Sequence, residues 1–225
     1  FFKQKTAYEI TTRLVGVKVV LVHGGGPEIN DLLSKLGVKS EFVNGLRVTD
    51  EETAQIVQMV LAGKVGKSLV NLIESTGGKA MGICGIDGRM VEAKKRSEAL
   101  GYVGQITHVN TQPITDLLEK GYIPVVSSVG CDEEGNVYNI NADTMAAQIS
   151  GAMGAECLIS MTDVPGIMLD PADQASLVHV ADINDATDLF RQGVIKGGMI
   201  PKVESCIEAL LCGVHKVFIL DLSLI

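Results

Sequence analysis

The sequence predicts an α/β fold with a largely parallel sheet and helices on both of its faces. Three observations lead there. Short apolar runs of strand length alternate with helical patterns along almost the whole chain. Gly is abundant, at 25 of 225 residues, and clusters where strands would turn into helices. Trp is absent and aromatic residues are only 4%, so a 46% hydrophobic composition must build its core from Val, Ile, Leu, Ala and Met. Strands buried on both faces use those residues.

Residues 17–22 (VKVVLV) are an apolar run that ends at His23 and a glycine cluster, and read as a buried strand. Over residues 27–36, Ile29, Leu32, Leu33 and Leu36 recur at helical spacing, with Pro27 opening the helix and Gly37 stopping it. Residues 51–62 and 65–76 read as two further helices, 80–84 as a strand, 111–120 as a helix and 123–129 as a strand. Residues 132–136 (DEEGN) read as a hairpin turn. Residues 141–153 form a helix with Ala142, Met145, Ala146, Ile149 and Met153 on one face. Residues 157–161 are a strand and 182–192 a helix. Residues 200–211 are a helix turning Ile200, Val203, Ile207, Leu210 and Leu211 inward, and 217–220 are the last strand. No Pro/Gly/Ser-rich linker divides the chain, so one continuous domain is expected.

The net charge of −8 carries no basic stripe, which argues against nucleic acid. Anionic substrates would be held by a few local Lys, Arg and backbone N–H groups. The five cysteines match no zinc spacing and read as free thiols of a reducing cytosol. No apolar run reaches the length of a membrane span, and no signal peptide is visible.

The sharpest local feature is His23-Gly24-Gly25-Gly26-Pro27, between a strand and a helix start. Glycines there let backbone approach a ligand, and free N–H groups at a helix N-terminus favour an anion. Esterases use a similar oxyanion hole but need a Gly-x-Ser-x-Gly elbow, and Ser128 has Val126 where that glycine should be. Gly63-Lys64-Val65-Gly66-Lys67-Ser68 mimics a phosphate-binding loop, but Leu61 occupies the position of its first glycine. Lys64 and Lys67 are expected to be solvated.

A second site is Asn139-Ile140-Asn141-Ala142-Asp143, where Asn141 suits a helix cap and Asp143 the first turn. A third is Lys196-Gly197-Gly198-Met199-Ile200-Pro201-Lys202, where Pro201 marks a helix start and Lys202 sits against the helix dipole. Three helix N-termini thus follow Gly- or Asn-rich turns at strand ends, the ligand edge of an open α/β sheet. They point to a substrate with phosphates and carboxylates. Arg47, in Gly45-Leu46-Arg47-Val48-Thr49-Asp50, has the fork geometry that suits a carboxylate.

Together the segments VVLVHGGGPEIN, FVNGLRVTDEET, LAGKVGKSLVNLI, GYVGQI, GYIPVVSSVG, YNINADTMA, LISMTDVPGIM and IKGGMIPKVESCIEAL resemble the acetylglutamate kinases of the amino-acid kinase family. They run in that family's order from about Leu14 to Asp221. The resemblance implies a three-layer α/β/α sandwich with a central, mainly parallel sheet. It implies an acceptor-binding lobe over about residues 14–135 and an ATP-binding lobe over about 136–221. The implied activity is transfer of the γ-phosphoryl group of ATP, with Mg²⁺, to the side-chain carboxylate of N-acetyl-L-glutamate. By similarity Gly24 and Gly25 bind the acceptor and the transferring group, Arg47 clamps the α-carboxylate, and Asn139 and Asn141 hold the acylated amino acid. Asp143 orients catalytic lysines. Asp163, Val164, Pro165, Gly166, Ile167 and Met168, with Val194, Ile195 and Lys196, contact the nucleotide. Lys202 stabilises the phosphates in flight.

The family also opens with a strand carrying a Lys-x-Gly-Gly-type turn. Only 22 residues precede His23 and none forms it, so the chain reads as truncated there, and again after Asp221. Lys3, Lys5 and Lys18 take no such role. Kinases for acylated aminoadipate, UMP or carbamate, and a ligand-binding protein with reduced turnover, stand as alternatives. The resemblance implies a cytoplasmic (or plastid) enzyme of arginine biosynthesis and a homo-oligomer, since relatives of this kind form dimers or arginine-inhibited hexamers, with a nitrogen-signalling regulator as a candidate partner; arginine feedback on this chain is left undecided.

Overall fold

The computed structural model describes residues 16–43 and 45–221. Lys3, Lys5, the upstream segment and the residues after Asp221 lie outside the described residues. The chain divides between Met145 and Ala146 into two compact units.

In the first unit, β1 (Leu21–His23) leads into α1 (Gly26–Lys35), followed by a hairpin of β2 (Phe42–Val43) and β3 (Leu46–Arg47). The long helix α2 (Glu51–Ser75) precedes β4 (Ala80–Cys84). Then come β5 (Val91–Lys95), β6 (Gly104–Val109), α3 (Gln112–Glu119), β7 (Ile123–Ser127), β8 (Val129–Cys131) and β9 (Val137–Asn139). Helix α4 (Ala142–Ala152) carries the division between the units. The second unit continues with β10 (Cys157–Thr162), α5 (Ile183–Arg191), α6 (Met199–Leu211) and β11 (Lys216–Asp221).

The α/β class holds, with parallel strands joined through helices, but the described strands form four sheets. A parallel sheet runs β1-β7-β4, with Leu21 opposite Val125 and Gly82 opposite Val125 on the other side. A mixed sheet runs β6-β5-β8-β9, β10 pairs with β11 in parallel, and β2-β3 stand as a hairpin. The strand expected over 17–22 is shorter than its apolar run, because only Leu21–His23 find a ladder partner on β7. The run expected over 123–129 breaks at Ser128, where the chain passes from the parallel to the mixed sheet. Strands β5 and β6 were not expected. In β5, Val91 and Ala93 are buried while Lys94 and Lys95 are exposed, so the run is short and polar.

The two helices expected around residue 63 are one. Its middle turns, Met59–Val65, are π-helical, so the helix passes Gly63 without stopping. By length and composition alone α2 could cross a membrane. Its apolar side chains have another use. Ile56, Val57, Val60 and Leu61 join Ile29 and Leu33 of α1 in one core cluster, and Ile73 joins Leu21, Ala80 and Val125 in a second. Lys64 and Lys67 are exposed on it. Lys64 pairs with Glu28, Lys67 Nζ lies 3.5 Å from the Gly82 carbonyl, and the Gly63–Ser68 segment is helix where a phosphate loop would be a turn after a strand.

In the second unit, α5 is held by a capping box between Asp182 and Asp185. Helix α6 starts at Met199, two residues before Pro201, and its buried positions are Val203, Ser205, Cys206 and Ala209. Leu211, expected inward, is 74% exposed. Ala209 packs flush with Ala147 and Val214, and this close approach rotates the larger Leu211 outward. In α4 the buried set likewise shifts to Met145, Ala147, Ile149 and Ser150.

Helix α1 offers a paired test of this core. Leu33 is 1% exposed and Leu36, one turn on, is 57% exposed. Leu33→Ala is expected to cost about 2–5 kcal/mol in urea unfolding, and Leu36→Ala less than about 0.5 kcal/mol.

Candidate active site

The glycine turn sits at the carboxyl end of β1, whose last residue, His23, pairs with Ser127 of β7. The chain runs through Gly24 and Gly25 into α1, which has Pro27 in its first turn and no side-chain cap. The N–H groups of Gly24 and Gly25 meet no acceptor among the described residues. Space, not left-handed backbone, demands glycine here. A Cβ on Gly25 would lie 2.8 Å from Leu61 Cδ2 and 3.0 Å from Val65 Cγ2, and one on Gly24 would lie 3.2 Å from Ala142 Cβ. The π-helical turns of α2 and the first residue of α4 therefore close directly on the turn.

The Asn139–Asp143 segment is brought to the same place. Ile140 N–H donates to the Ser128 carbonyl at 3.1 Å, and Ser128 N–H donates to the His23 carbonyl at 3.3 Å, tying the two segments across β7. Asn141 caps α4, its Oδ1 accepting from Thr144 N–H at 3.0 Å, so the capping role expected of it is filled. Asp143 lies in the first turn of α4. Asn139 Nδ2 donates to Thr49 Oγ1 at 3.2 Å, and Thr49 Oγ1 donates to the Arg47 carbonyl at 2.8 Å.

Arg47 completes this constellation. It is 6% exposed. Its Nη1 donates to Ser40 Oγ at 2.5 Å, its Nη2 reaches the Gly26 carbonyl at 3.4 Å, and its guanidinium stands 4.7 Å from the centre of the Phe42 ring. Among the described residues no carboxylate forms an ion pair with it. Burial lowers its pKa from the usual value, yet an arginine stays charged. A buried cation without a carboxylate is costly by itself, and an anionic ligand is the natural complement.

Ser127 Oγ and His23 Nε2 are 3.0 Å apart, the spacing of a nucleophile and its base. Ser127 is only 2% exposed, and its hydroxyl also lies 3.1 Å from the Leu61 carbonyl of the π-helical segment. No substrate reaches a serine so enclosed, and the hydrolase reading fails.

In the second unit, Lys202 Nζ donates to Ser160 Oγ at 3.0 Å and reaches the Met161 carbonyl at 3.4 Å, so α6 carries its lysine to the carboxyl end of β10. Asp163, Val164 and Pro165 are exposed beyond that strand end. Gly166, at φ 142, needs glycine for its backbone. Ile167, Val194, Ile195 and Val203 pack in one cluster. Ile195 is 4% exposed, so its side chain is core, whereas Lys196 is exposed. The segments expected at a nucleotide, 163–168 and 194–196, are thus neighbours in this unit.

A family model described as the amino acid kinase family matches residues 4–221, beginning upstream of Leu14. The chain belongs to that family. An acetylglutamate kinase of Clostridium beijerinckii is 54% identical over 94% of the chain and 75% of its own length. Another from Brachyspira hyodysenteriae is 53% identical over 92% of the chain and 73% of its own length. The crystal structure of smu.665 from Streptococcus mutans UA159 superposes with a TM-score of 0.80 at 33% identity, over 91% of this chain and 82% of that one. Family membership agrees with the α/β class, with parallel strands and helices, seen in both units.

Sequence reasoning missed Ser40, Phe42, Thr49 and Ser127. Single polar or aromatic residues in short hairpins and strand ends carry no spacing signal, and only the fold reveals what they touch.

Burial holds the His23 imidazole below its ordinary value of 6.5. The unfolded chain therefore takes up this proton at higher pH than the folded one. His23 thus makes no pH-dependent demand above the unfolded value, and stability is lost as pH falls through 6.5 toward the lower folded value. Urea midpoints measured between about pH 7.5 and about pH 5.5 should fall on acidification, and more steeply than in His23→Asn.

Proposed function

We propose that this chain transfers the γ-phosphoryl group of ATP to the side-chain carboxylate of N-acetyl-L-glutamate, forming N-acetyl-L-glutamyl 5-phosphate for arginine biosynthesis. One observation carries the reading: Arg47, a buried guanidinium beside the glycine turn, has no carboxylate among the described residues to balance it. An amino-acid acceptor supplies that carboxylate in a geometry that an arginine fork matches. Relatives more than half identical to the chain, named acetylglutamate kinase, support the choice of acceptor.

In this reading Arg47 clamps the α-carboxylate, and Asn139 and the amide side of Asn141 hold the acylated amino acid. The N–H groups of Gly24 and Gly25 receive the acceptor and the travelling phosphoryl group. Asp143 orients catalytic lysines, and Lys202 neutralises charge on the phosphates. Residues 163–168 and 194–196 hold the nucleotide, Ile195 through its backbone. The acceptor lobe takes in about residues 14–135 and the ATP lobe about residues 136–221. The nucleophile is already ionised at neutral pH, so no general base is required. Two anions must meet, and positioning with charge neutralisation supplies the rate. Among the described residues no cluster of three acidic, His or Cys side chains could cage a metal. Mg²⁺ fits as a companion of the ATP phosphates, where it shields their charge. The enzyme works in the cytoplasm, or in the plastid of a plant, as a homo-oligomer.

ADP release measured with N-acetylglutamate, acylated aminoadipate, UMP and carbamate tests the acceptor. Turnover with N-acetylglutamate alone is expected, and turnover with another acceptor in its place would sink the assignment. Arg47→Ala should raise KM for N-acetylglutamate by about 100-fold with little change in KM for ATP. Arg47→Lys should recover little, because an ammonium cannot make the paired contact. Lys202→Ala should instead lower kcat by about 100-fold or more.

A further inference from the structure

Three glycines are the least constrained residues a chain can place, so the turn's own sequence cannot aim its N–H groups. The structure supplies the missing constraint from one side chain. His23 Nδ1 lies 2.9 Å from the Gly24 carbonyl oxygen, and its Nε2 lies 3.0 Å from Ser127 Oγ. A carbonyl oxygen only accepts, so Nδ1 carries the ring proton, and Nε2 then accepts from the Ser127 hydroxyl. The Leu61 carbonyl, within reach of the same hydroxyl, already has a partner in the Gly66 N–H of the π-helical turn.

The peptide joining Gly24 to Gly25 is trans and planar, so its C=O and N–H point in opposite directions. Fixing the Gly24 carbonyl on the imidazole therefore fixes the Gly25 N–H on the far side of the peptide, away from the ring. That N–H has no acceptor among the described residues. We propose that His23 is a positioning residue that locks the Gly24–Gly25 peptide so that the Gly25 N–H is presented to the transferring phosphoryl group. The inference rests on the kinase reading above.

The ring is itself held. Ser127 is 2% exposed. Gly66 leaves the ring its space, since a Cβ there would sit 3.2 Å from His23 Nε2 and 3.0 Å from Ser127 Oγ. The π-helical segment thus seats the imidazole and, through Leu61 and Val65, backs Gly25 as well.

Asparagine can place a donor where Nδ1 stands, whereas glutamine reaches toward Nε2. In the full chain, His23→Gln should lower kcat for N-acetylglutamate phosphorylation about tenfold to 100-fold, as loss of one oriented donor does. His23→Asn should recover most of that rate, with KM for ATP unchanged in both variants. Ring-nitrogen NMR of the unsubstituted protein should show His23 with its proton on Nδ1, the signal being assigned by its loss in His23→Asn. Equal losses in the two variants, an unaffected His23→Gln, or a proton on Nε2 would overturn the proposal. If the unsubstituted protein phosphorylates none of the acceptors, the kinase reading fails, and the ring-nitrogen spectrum still decides whether His23 holds the turn.

Discussion

The space for a side chain at Gly24 and Gly25 is already occupied, and much of the first unit follows from that. Leu61 and Val65 fill it from the π-helical part of α2, and Ala142 fills it from the start of α4. A helix with regular α spacing through Gly63 would present a different set of side chains to the turn, because each added residue rotates the face by about 100°. The π-helical turns hold the buried faces of both ends of α2 in place, one in the cluster with α1 and the other in the cluster with β4 and β7. The same turns set Leu61 and Val65 against Gly25. Core packing and the shape of the glycine turn are therefore one constraint seen from two sides.

A chain with net charge −8 that handles two anions has to solve an electrostatic problem locally. In the proposed reading the first unit does so with few formal charges. Its contributions are backbone N–H groups at two helix starts and one guanidinium whose stem is buried and whose face stacks on Phe42. On α2, the exposed Lys64 is paired with Glu28. In the second unit, Lys202 is held by Ser160 and the Met161 carbonyl. A lysine tied to a strand end has surrendered rotamer freedom before any ligand arrives, which lowers the entropy lost on binding.

How far this could be read from the residues depends on the kind of signal. Strand β4 and helix α1 were legible to within a residue, because apolar spacing and Gly or Pro punctuation agreed. The glycine turn, Arg47 and the Asn139–Asp143 segment were legible as motifs, and the fold joins them through Thr49, Ser128 and Gly26. The π-helical turns were not legible, since Gly63 reads as a break and only packing on both sides of it keeps the helix whole. The inward face of α6 was misjudged for a related reason. Size was taken as the guide to burial, whereas close approach to neighbouring elements selects Ala209 over Leu211.

Tyr138 illustrates how burial separates a structural group from a chemical one. Its phenol is pushed up to about 12 by burial and by its hydrogen bond to Asp132, and so stays protonated and donates at 2.8 Å. Asp132 also accepts from the backbone and side chain of Asn136, so this carboxylate is spent on closing the β8–β9 hairpin. That hairpin is what carries Asn139 to Thr49. Arg47 is buried to a similar degree but pairs with no carboxylate among the described residues. Two buried ionisable groups thus differ, one satisfied by a carboxylate within the fold and the other without one among the described residues. In the proposed reading the unspent charge, not burial as such, marks where the acceptor binds.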